Sequence, residues 1–566
     1  MIKNRYIVGS LAFLLVLLIL ILSVLPKLEQ KSDQLDSSSV ERVFDQTKVK
    51  NVDITVNESD WQSLLDNPLA EKYVEATIEI DGTTLENVGL RTKGNSSLTS
   101  VAGMEDSDRY SFKLDFDYYN SNQSLFGLKK LNLNNNFSDA TQMKEYLSYQ
   151  LMDKMGLPTP ANSYMYVTIN GQEWGLYLGV EQVDEVFIAR NFEDKTGDLY
   201  KPEGTGSDLK WISDQIKDYS GLDLKTNLNS SDQSAMIEML AAINNGEDIE
   251  EHLDIDEMLR YFAANTALVN LDSYQGQMKH NYYLYEQNGK FSIIPWDYNM
   301  AFGGFGVGRG GGFQPGGNDQ EGMEMNRGNR NFMGGFPTGD LMNEENINFS
   351  ITTPVSGTTL QERPLLNSLL SVDQYREKYE QYLAEIANTF LTKESIESIT
   401  TEISNLILPY VEKDPTKFYT TEEFLAGVSG NSSLPEFARL RAESIKKQLA
   451  GELVVEADTD SGMMMPQDMG EWQGQLGEEP PNFPNGNMEP PNRGEEEQGR
   501  VPPNFNNGEQ PKMEWNNQGD MPFPIGDKQR AGQDSKQSQS NLTVSIILFS
   551  LLIGAIIFGF LFKRRW

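Results

Sequence analysis

The dipeptide Asn288-Gly289 constrains this chain more than any other pair of neighbours. Asn-Gly between two β-rich runs asks for a two-residue hairpin turn, because both central positions of that turn need positive φ. The run before it alternates aromatic and aliphatic residues (Tyr283, Leu284, Tyr285), and the run after it, FSIIPW, delivers Asp297. Asp272 and Asn281 stand just ahead of the first run, and Phe302-Gly303 follow Asp297 by five and six positions. Chain reversal can therefore bring a polar cluster and a carboxylate together. Magnesium takes oxygen ligands, commonly one or two carboxylates with substrate phosphates. Phosphoryl transfer also needs a carboxylate to orient the attacking hydroxyl. Asp272, Asn281 and Asp297 are residue types for that chemistry, although Asp ahead of an aromatic strand is also an ordinary turn residue.

The longer pattern NLDSY…HNYYLY…IIPWDYNMAFG resembles the core of the spore coat protein H (CotH) family of atypical kinase-like proteins, over about residues 52–451. The resemblance implies an α+β, divergent two-lobed protein-kinase-like fold. It implies Asp272 as the catalytic-loop aspartate, Asp297 as the metal-binding aspartate and Asn281 as a second metal ligand. The chain departs from the ordinary kinase pattern in three ways. Nine positions separate Asp272 from Asn281 where kinases have five, no His-Arg precedes Asp272, and Asp-Phe-Gly is spread over Asp297, Phe302 and Gly303. Asn299 stands where the family often carries an acidic residue.

Upstream, Lys93, Gly94, Asn95, Ser96 and Ser97 fall between two strand patterns. Small residues there let backbone N–H groups approach phosphate oxygens, although a plain turn suits them equally. The next strand, RYSFKLDFDY, sets Phe112, Leu114 and Phe116 on one face and Lys113 on the other. The resemblance assigns this region to the N-terminal lobe. It implies Gly94, Asn95 and Ser96 against nucleotide phosphates and Lys113 pairing with the α- and β-phosphates. Residues 139–155 have helical spacing, with Met143, Tyr146, Leu147, Leu151 and Met155 on one face. By the same resemblance this is the small lobe's regulatory helix, and Glu145 is the partner of Lys113. A hairpin around Asn170-Gly171 leads to Glu181, an implied nucleotide contact where the lobes join. Residues 185–256 read as mostly helical, and 255–269 as an amphipathic helix leading into Asp272.

Two uncharged apolar runs, residues 6–25 and 542–562, are each long enough to cross ~30 Å of hydrocarbon as a helix. Lys3 and Arg5 flank the first and Lys563, Arg564 and Arg565 the second, so the positive-inside bias puts segments 1–5 and 563–566 in the cytoplasm. A cleaved signal peptide is the rival for the first run, but no small-x-small site follows it. Between the two membrane helices the expected order is a polar stalk (26–50), an N-terminal lobe (51–184) and a C-terminal lobe (185–454). The second lobe carries a Gly/Met-rich insertion (303–349), and a Pro/Gly/Asn-rich acidic linker (455–541), disordered by composition, follows it.

There are no cysteines, so disulfides and thiolate metal sites are excluded. Asp+Glu total 83 against Lys+Arg 47, and the resulting charge of −36 argues against nucleic acid as a partner. The two histidines are His252 and His280, so a histidine-based triad or zinc site would have to use one of them. The expectation is a two-pass membrane protein whose main domain is extracytoplasmic. The resemblance adds ATP and Mg2+ (or Mn2+) as cofactors and Ser or Thr of a cell-envelope protein as acceptor. A non-catalytic assembly scaffold with the same fold is the alternative.

Overall fold

The computed structural model describes residues 37–305 and 341–455. The two apolar runs, the linker and most of the Gly/Met-rich insertion lie outside them. Among the described residues no helix is long and apolar enough to cross a membrane.

The chain is mixed α+β, with two hydrophobic cores. The first is a barrel of β1 (Lys50–Val56), β2 (Val74–Ile80), β3 (Thr83–Lys93), β4 (Ser111–Asp115), β5 (Lys130–Asn134), β6 (Asn162–Ile169) and β7 (Gln172–Glu181). Its order is β1-β2-β3-β4-β5-β7-β6, and parallel pairing of β1 with β6, from Lys50↔Met165 to Ile54↔Ile169, closes it. Apolar residues at every second position fill the inside, among them Ile54, Ile78, Leu90, Phe112, Leu131 and Val167. The same period turns Arg91, Lys93, Lys113, Asn132 and Asn134 to the opposite face, because Arg91 pairs with Lys113 and Lys113 with Asn132. One strip of the barrel wall is therefore polar and basic.

The second core is built from helices α1 (Lys144–Lys154), α2 (Ile255–Leu268), α3 (Asp373–Thr389), α4 (Lys393–Lys413) and α5 (Leu434–Leu449). Leu147, Phe262, Leu383, Ile407 and Phe437 meet in it. A four-stranded sheet, β11-β10-β8-β9, belongs to this part: β8 (Leu199–Pro202), β9 (Leu222–Leu224), β10 (Tyr282–Gln287) and β11 (Lys290–Pro295). Asn288 and Gly289 have φ of 54° and 83°, as the turn they were expected to form requires.

Three boundaries differ from the sequence reading. Residues 185–256 contain β8 and β9, strands too short to show a period; β8 is defined by pairing with β10, and β9 by pairing with β8. Helix α1 begins at Lys144 rather than 139, because the Asp139 carboxylate accepts the N–H groups of Thr141 and Lys144, both at 2.9 Å. Ser37–Val43, assigned to the stalk, is a helix, and its last residue, Val43, and the following Phe44 are buried.

Glu257 ties α2 to the hairpin strand that leads to Asp297, since it accepts the Ile293 N–H at 2.9 Å. Burial pushes its pKa from 4.5 up to about 7, against the hydrogen bond from Ile293. A folded-state value above the unfolded one favours the protonated side chain in the native protein. The contribution is complete below pH 4.5 and is lost as pH rises through about 7. Glu257→Gln should therefore be more stable than wild type at pH 8, by up to ~3 kcal/mol, and equal to it near pH 4. Urea unfolding at the two pH values checks this, and a pH-independent difference would refute it.

Candidate active site

Backbone contacts bring Asp272, Asn281 and Asp297 together. Helix α2 ends at Leu268 with Val269 as its cap, and the carbonyls of these two residues receive the chain that follows Asp297. Phe302 N–H donates to Leu268 O at 2.7 Å and Gly303 N–H to Val269 O at 3.1 Å. Gly303 is required there: its φ is 68°, and a Cβ would run into Asn346, whose amide donates to Gly303 O at 3.1 Å. The hairpin register does the rest. Tyr282↔Pro295 is its end pair, so Asn281 and Trp296 leave the sheet side by side and Asp297 comes next. Between them the buried loop is held by Ser273 Oγ donating to Asn270 O (2.7 Å) and Gln275 Nε2 donating to Pro354 O (2.7 Å). Asn281 and Asp297 both adopt left-handed backbone, with φ of 59° and 58°. That conformation costs a residue with a Cβ ~1–2 kcal/mol and is least unfavourable for Asn and Asp.

The side chains converge from both cores. His280 Nε2 lies 2.6 Å from Asp272 Oδ1, and Asn281 Nδ2 donates to Asp272 Oδ2 at 3.0 Å and to its backbone O at 2.9 Å. Burial alone would lower the His280 pKa. The Asp272 carboxylate, with Glu203 and Asp297, outweighs burial and holds it above the ordinary value. From the barrel, Lys93 Nζ donates to Asn134 Oδ1 at 2.8 Å and sits 5.9 Å from the ring centre of Trp296, beside Asp297. Burial depresses the Lys93 pKa, and the carboxylates of Asp297 and Glu145 resist that. Glu145 is buried in the first turn of α1. Burial and then repulsion from Asp297 push its pKa up to about 7. From β8, Lys201 bridges to Glu203 at 3.2 Å and feels Asp297 and Tyr283.

Asp297 is the centre of this arrangement. Burial raises its pKa; Lys93, His280 and Lys201 pull it back, while Asp272 adds to the rise. Its N–H donates to Tyr149 Oη at 3.1 Å, yet among the described residues no donor reaches its carboxylate oxygens. A half-buried carboxylate that no protein donor reaches suits a cation ligand. Among the described residues no group of three or more His, Cys, Asp or Glu could hold a metal alone. Two carboxylates and an amide oxygen still fit an ion that takes further oxygens from a phosphate substrate.

The sequence profile of the CotH kinase protein family matches residues 90–445, more than half of the chain, and the match includes every residue of this cluster. The chain belongs to the CotH family. It is 24% identical to the inner spore coat protein H of Bacillus subtilis strain 168 over 312 residues, which cover 53% of this chain and 73% of that protein. An inner spore coat protein H-like protein of the same strain is 41% identical over 80 residues, 14% of this chain and 26% of that protein.

Within this CotH-family chain, the expected residues divide into two groups. Asp272, Asn281, Asp297 and Glu145 lie in the cluster. Lys93 is a lysine set near Glu145 and Asp297, where the resemblance implied Lys113 as the partner of Glu145. Lys113 lies one strand over, between Arg91 and Asn132. Both lysines share a face, but only the end of β3 comes beside Asn134 and α1. Gly94, Asn95 and Ser96 turn the chain from β3 into a short helix, Ser96–Ala102, with Gly94 at φ 113°. The Glu181 side chain is fully buried, paired with Arg190 and accepting the Ala161 N–H at 3.0 Å, so its carboxylate is committed within the fold. Its neighbour Gln182 instead reaches Tyr283 Oη at 3.3 Å. Lys201, Asn134 and Tyr149 were missed, since each joins the cluster only through strand order or helix packing.

Proposed function

We propose that this CotH-family protein is a metal-dependent phosphotransferase of divergent two-lobed kinase type. It binds ATP between the barrel and the helical part and phosphorylates Ser or Thr of a spore-coat or cell-envelope protein. The Asp297 carboxylate carries this reading: half-buried, reached by no hydrogen-bond donor among the described residues, and under the charges of the barrel lysine Lys93 and of Asp272 and His280. Asp297 and the Asn281 side-chain oxygen would hold magnesium or manganese, which when bound neutralises charge on the phosphate oxygens. Lys93 would steady the α- and β-phosphates, and Lys201, which also feels the charge of Asp297, would add a second ammonium. Asp272, oriented by His280 and Asn281, takes the proton of the acceptor hydroxyl. A bond forms between that oxygen and the γ-phosphorus as the bond to ADP breaks, so most of the catalysis is positioning and charge stabilisation. The apolar runs 6–25 and 542–562 would tether the protein to a membrane with this domain outside.

The scaffold alternative draws on one observation: both Asp272 oxygens already accept hydrogen bonds. A carboxylate has lone pairs for further donors, so the kinase reading is preferred. Transfer of labelled γ-phosphate from Mg·ATP to a Ser/Thr-rich coat-type protein by the purified full-length chain decides between them. No incorporation at any metal concentration would leave the scaffold. Among variants, Lys93→Met should raise KM for ATP about tenfold or more, while Lys113→Met changes it less than about threefold. The reverse ranking would return the role to Lys113.

A further inference from the structure

Lys93 and Glu145 make no direct ion pair, and Asn134 stands between them. Lys93 Nζ donates to Asn134 Oδ1 and Asn134 Nδ2 donates to Glu145 Oε2, both at 2.8 Å. The other Glu145 oxygen accepts Tyr149 Oη at 3.0 Å, and that same hydroxyl accepts the backbone N–H of Asp297 at 3.1 Å. Glu145 and Tyr149 are four residues apart on α1 and so share a face of the helix. Glu145 and Tyr149 are fully buried and Asn134 is nearly so, so each donor and acceptor has an obligate partner. The ring of Tyr149 lies 5.7 Å from that of Tyr298, the residue after Asp297, which places the hydroxyl independently of its hydrogen bonds.

We propose that Asn134 and Tyr149 are positioning residues: with Glu145 they form a buried hydrogen-bond chain that sets the barrel lysine Lys93 and the left-handed backbone of Asp297 in register. An ion pair would fix only a distance between charges. An amide with one donor and one acceptor in use fixes direction as well, and the tyrosine hydroxyl carries that direction to the peptide bearing the proposed metal ligand. The chain crosses from the barrel, through α1, to the loop after β11. Its consequence for phosphate transfer rests on the kinase reading; its existence does not.

Hydrogen exchange at the Asp297 amide in the full-length protein tests the chain without reference to activity. Tyr149→Phe keeps the ring and removes the acceptor, and should speed that amide's exchange about tenfold or more. Asn134→Leu touches neither Tyr149 nor Asp297, yet should speed the same amide about threefold or more, because Glu145 and Tyr149 lose their orientation. If Asn134→Leu does not fold, Asn134→Ser, too short to bridge to Glu145, takes its place. An Asp297 amide that exchanges at the wild-type rate in a folded Asn134 variant overturns the proposal, since a local packing role would leave it unchanged. In the transfer assay Tyr149→Phe should lower kcat about tenfold or more with KM for ATP nearly constant. The exchange result stands whether or not the wild type transfers phosphate, so the two readings fail separately.

Discussion

Asp297→Asn is expected to abolish metal-dependent phosphate transfer, with kcat/KM falling by about 10³-fold or more and the fold intact. A factor of 10³ is ~4 kcal/mol of transition-state stabilisation, within the range lost when a central charge-stabilising group is removed. The substitution keeps the shape of the side chain and removes its charge, so the site loses its proposed cation ligand while Lys93, Lys201 and His280 lose their shared counter-charge. Stability should hold or rise slightly. Burial raises the Asp297 pKa in the folded protein, which means that the charged form is the one the fold disfavours. The same variant should lose the stabilisation that Mg·ATP gives the wild type, about 2.7 kcal/mol at a hundredfold excess over Kd. Transfer assays and thermal unfolding with and without Mg·ATP read both effects. Full activity in Asp297→Asn would end the kinase reading, and an unchanged ligand shift would move the metal elsewhere.

Arg109→Met is expected to cost about 3–5 kcal/mol of stability, because it strips one partner from a fully buried ion pair. The Arg109 guanidinium donates to both oxygens of Asp414 at 3.0 and 2.9 Å, to Asn135 O at 3.2 Å, to Thr416 Oγ1 at 2.7 Å and to Leu176 O. Asp414 in turn accepts the Leu176 N–H at 2.8 Å. Arg109 and Leu176 belong to the barrel, and Asp414 caps the end of α4, so this pair joins the two cores 305 positions apart in sequence. Gly175 makes the approach possible: its φ is 138°, and a Cβ there would fall on the Asp414 carboxylate and the Arg109 guanidinium. Gly175→Ala should destabilise to a similar degree. The double variant Arg109→Met/Asp414→Leu should lose less than the sum of the two singles, since no buried charge is left alone. Strict additivity in denaturant unfolding would contradict the geometry.

The hairpin was legible because its turn chemistry is local. Asn288-Gly289 needs positive φ at both positions whatever surrounds it, and the aromatic alternation before it fits a buried strand. The strands of the barrel were legible for the same reason, as period-2 alternation marks one buried face. Closure of the barrel was not, because an open sheet and a closed one leave the same alternation in each strand. The nearness of Lys93 to Glu145 was not legible for a related reason. Two lysines on one face of adjacent strands are equivalent until the end of one strand is seen beside Asn134 and Glu145. That Glu145 is buried was not legible either, because its helix is buried on more than one face only once both cores are in place.

The residues alone determined which chemistry this chain can attempt: no thiolate or multi-histidine site, an acidic surface unsuited to nucleic acid, and two aspartates flanking one hairpin. Only the tertiary structure decided which ammonium opposes Asp297, that an asparagine stands between Lys93 and Glu145, and that Arg109 reaches across to Asp414. Local patterns report each segment's own backbone preference and its buried face. Charge pairing between distant segments depends on strand order and helix docking, and those follow from how all the buried faces pack at once.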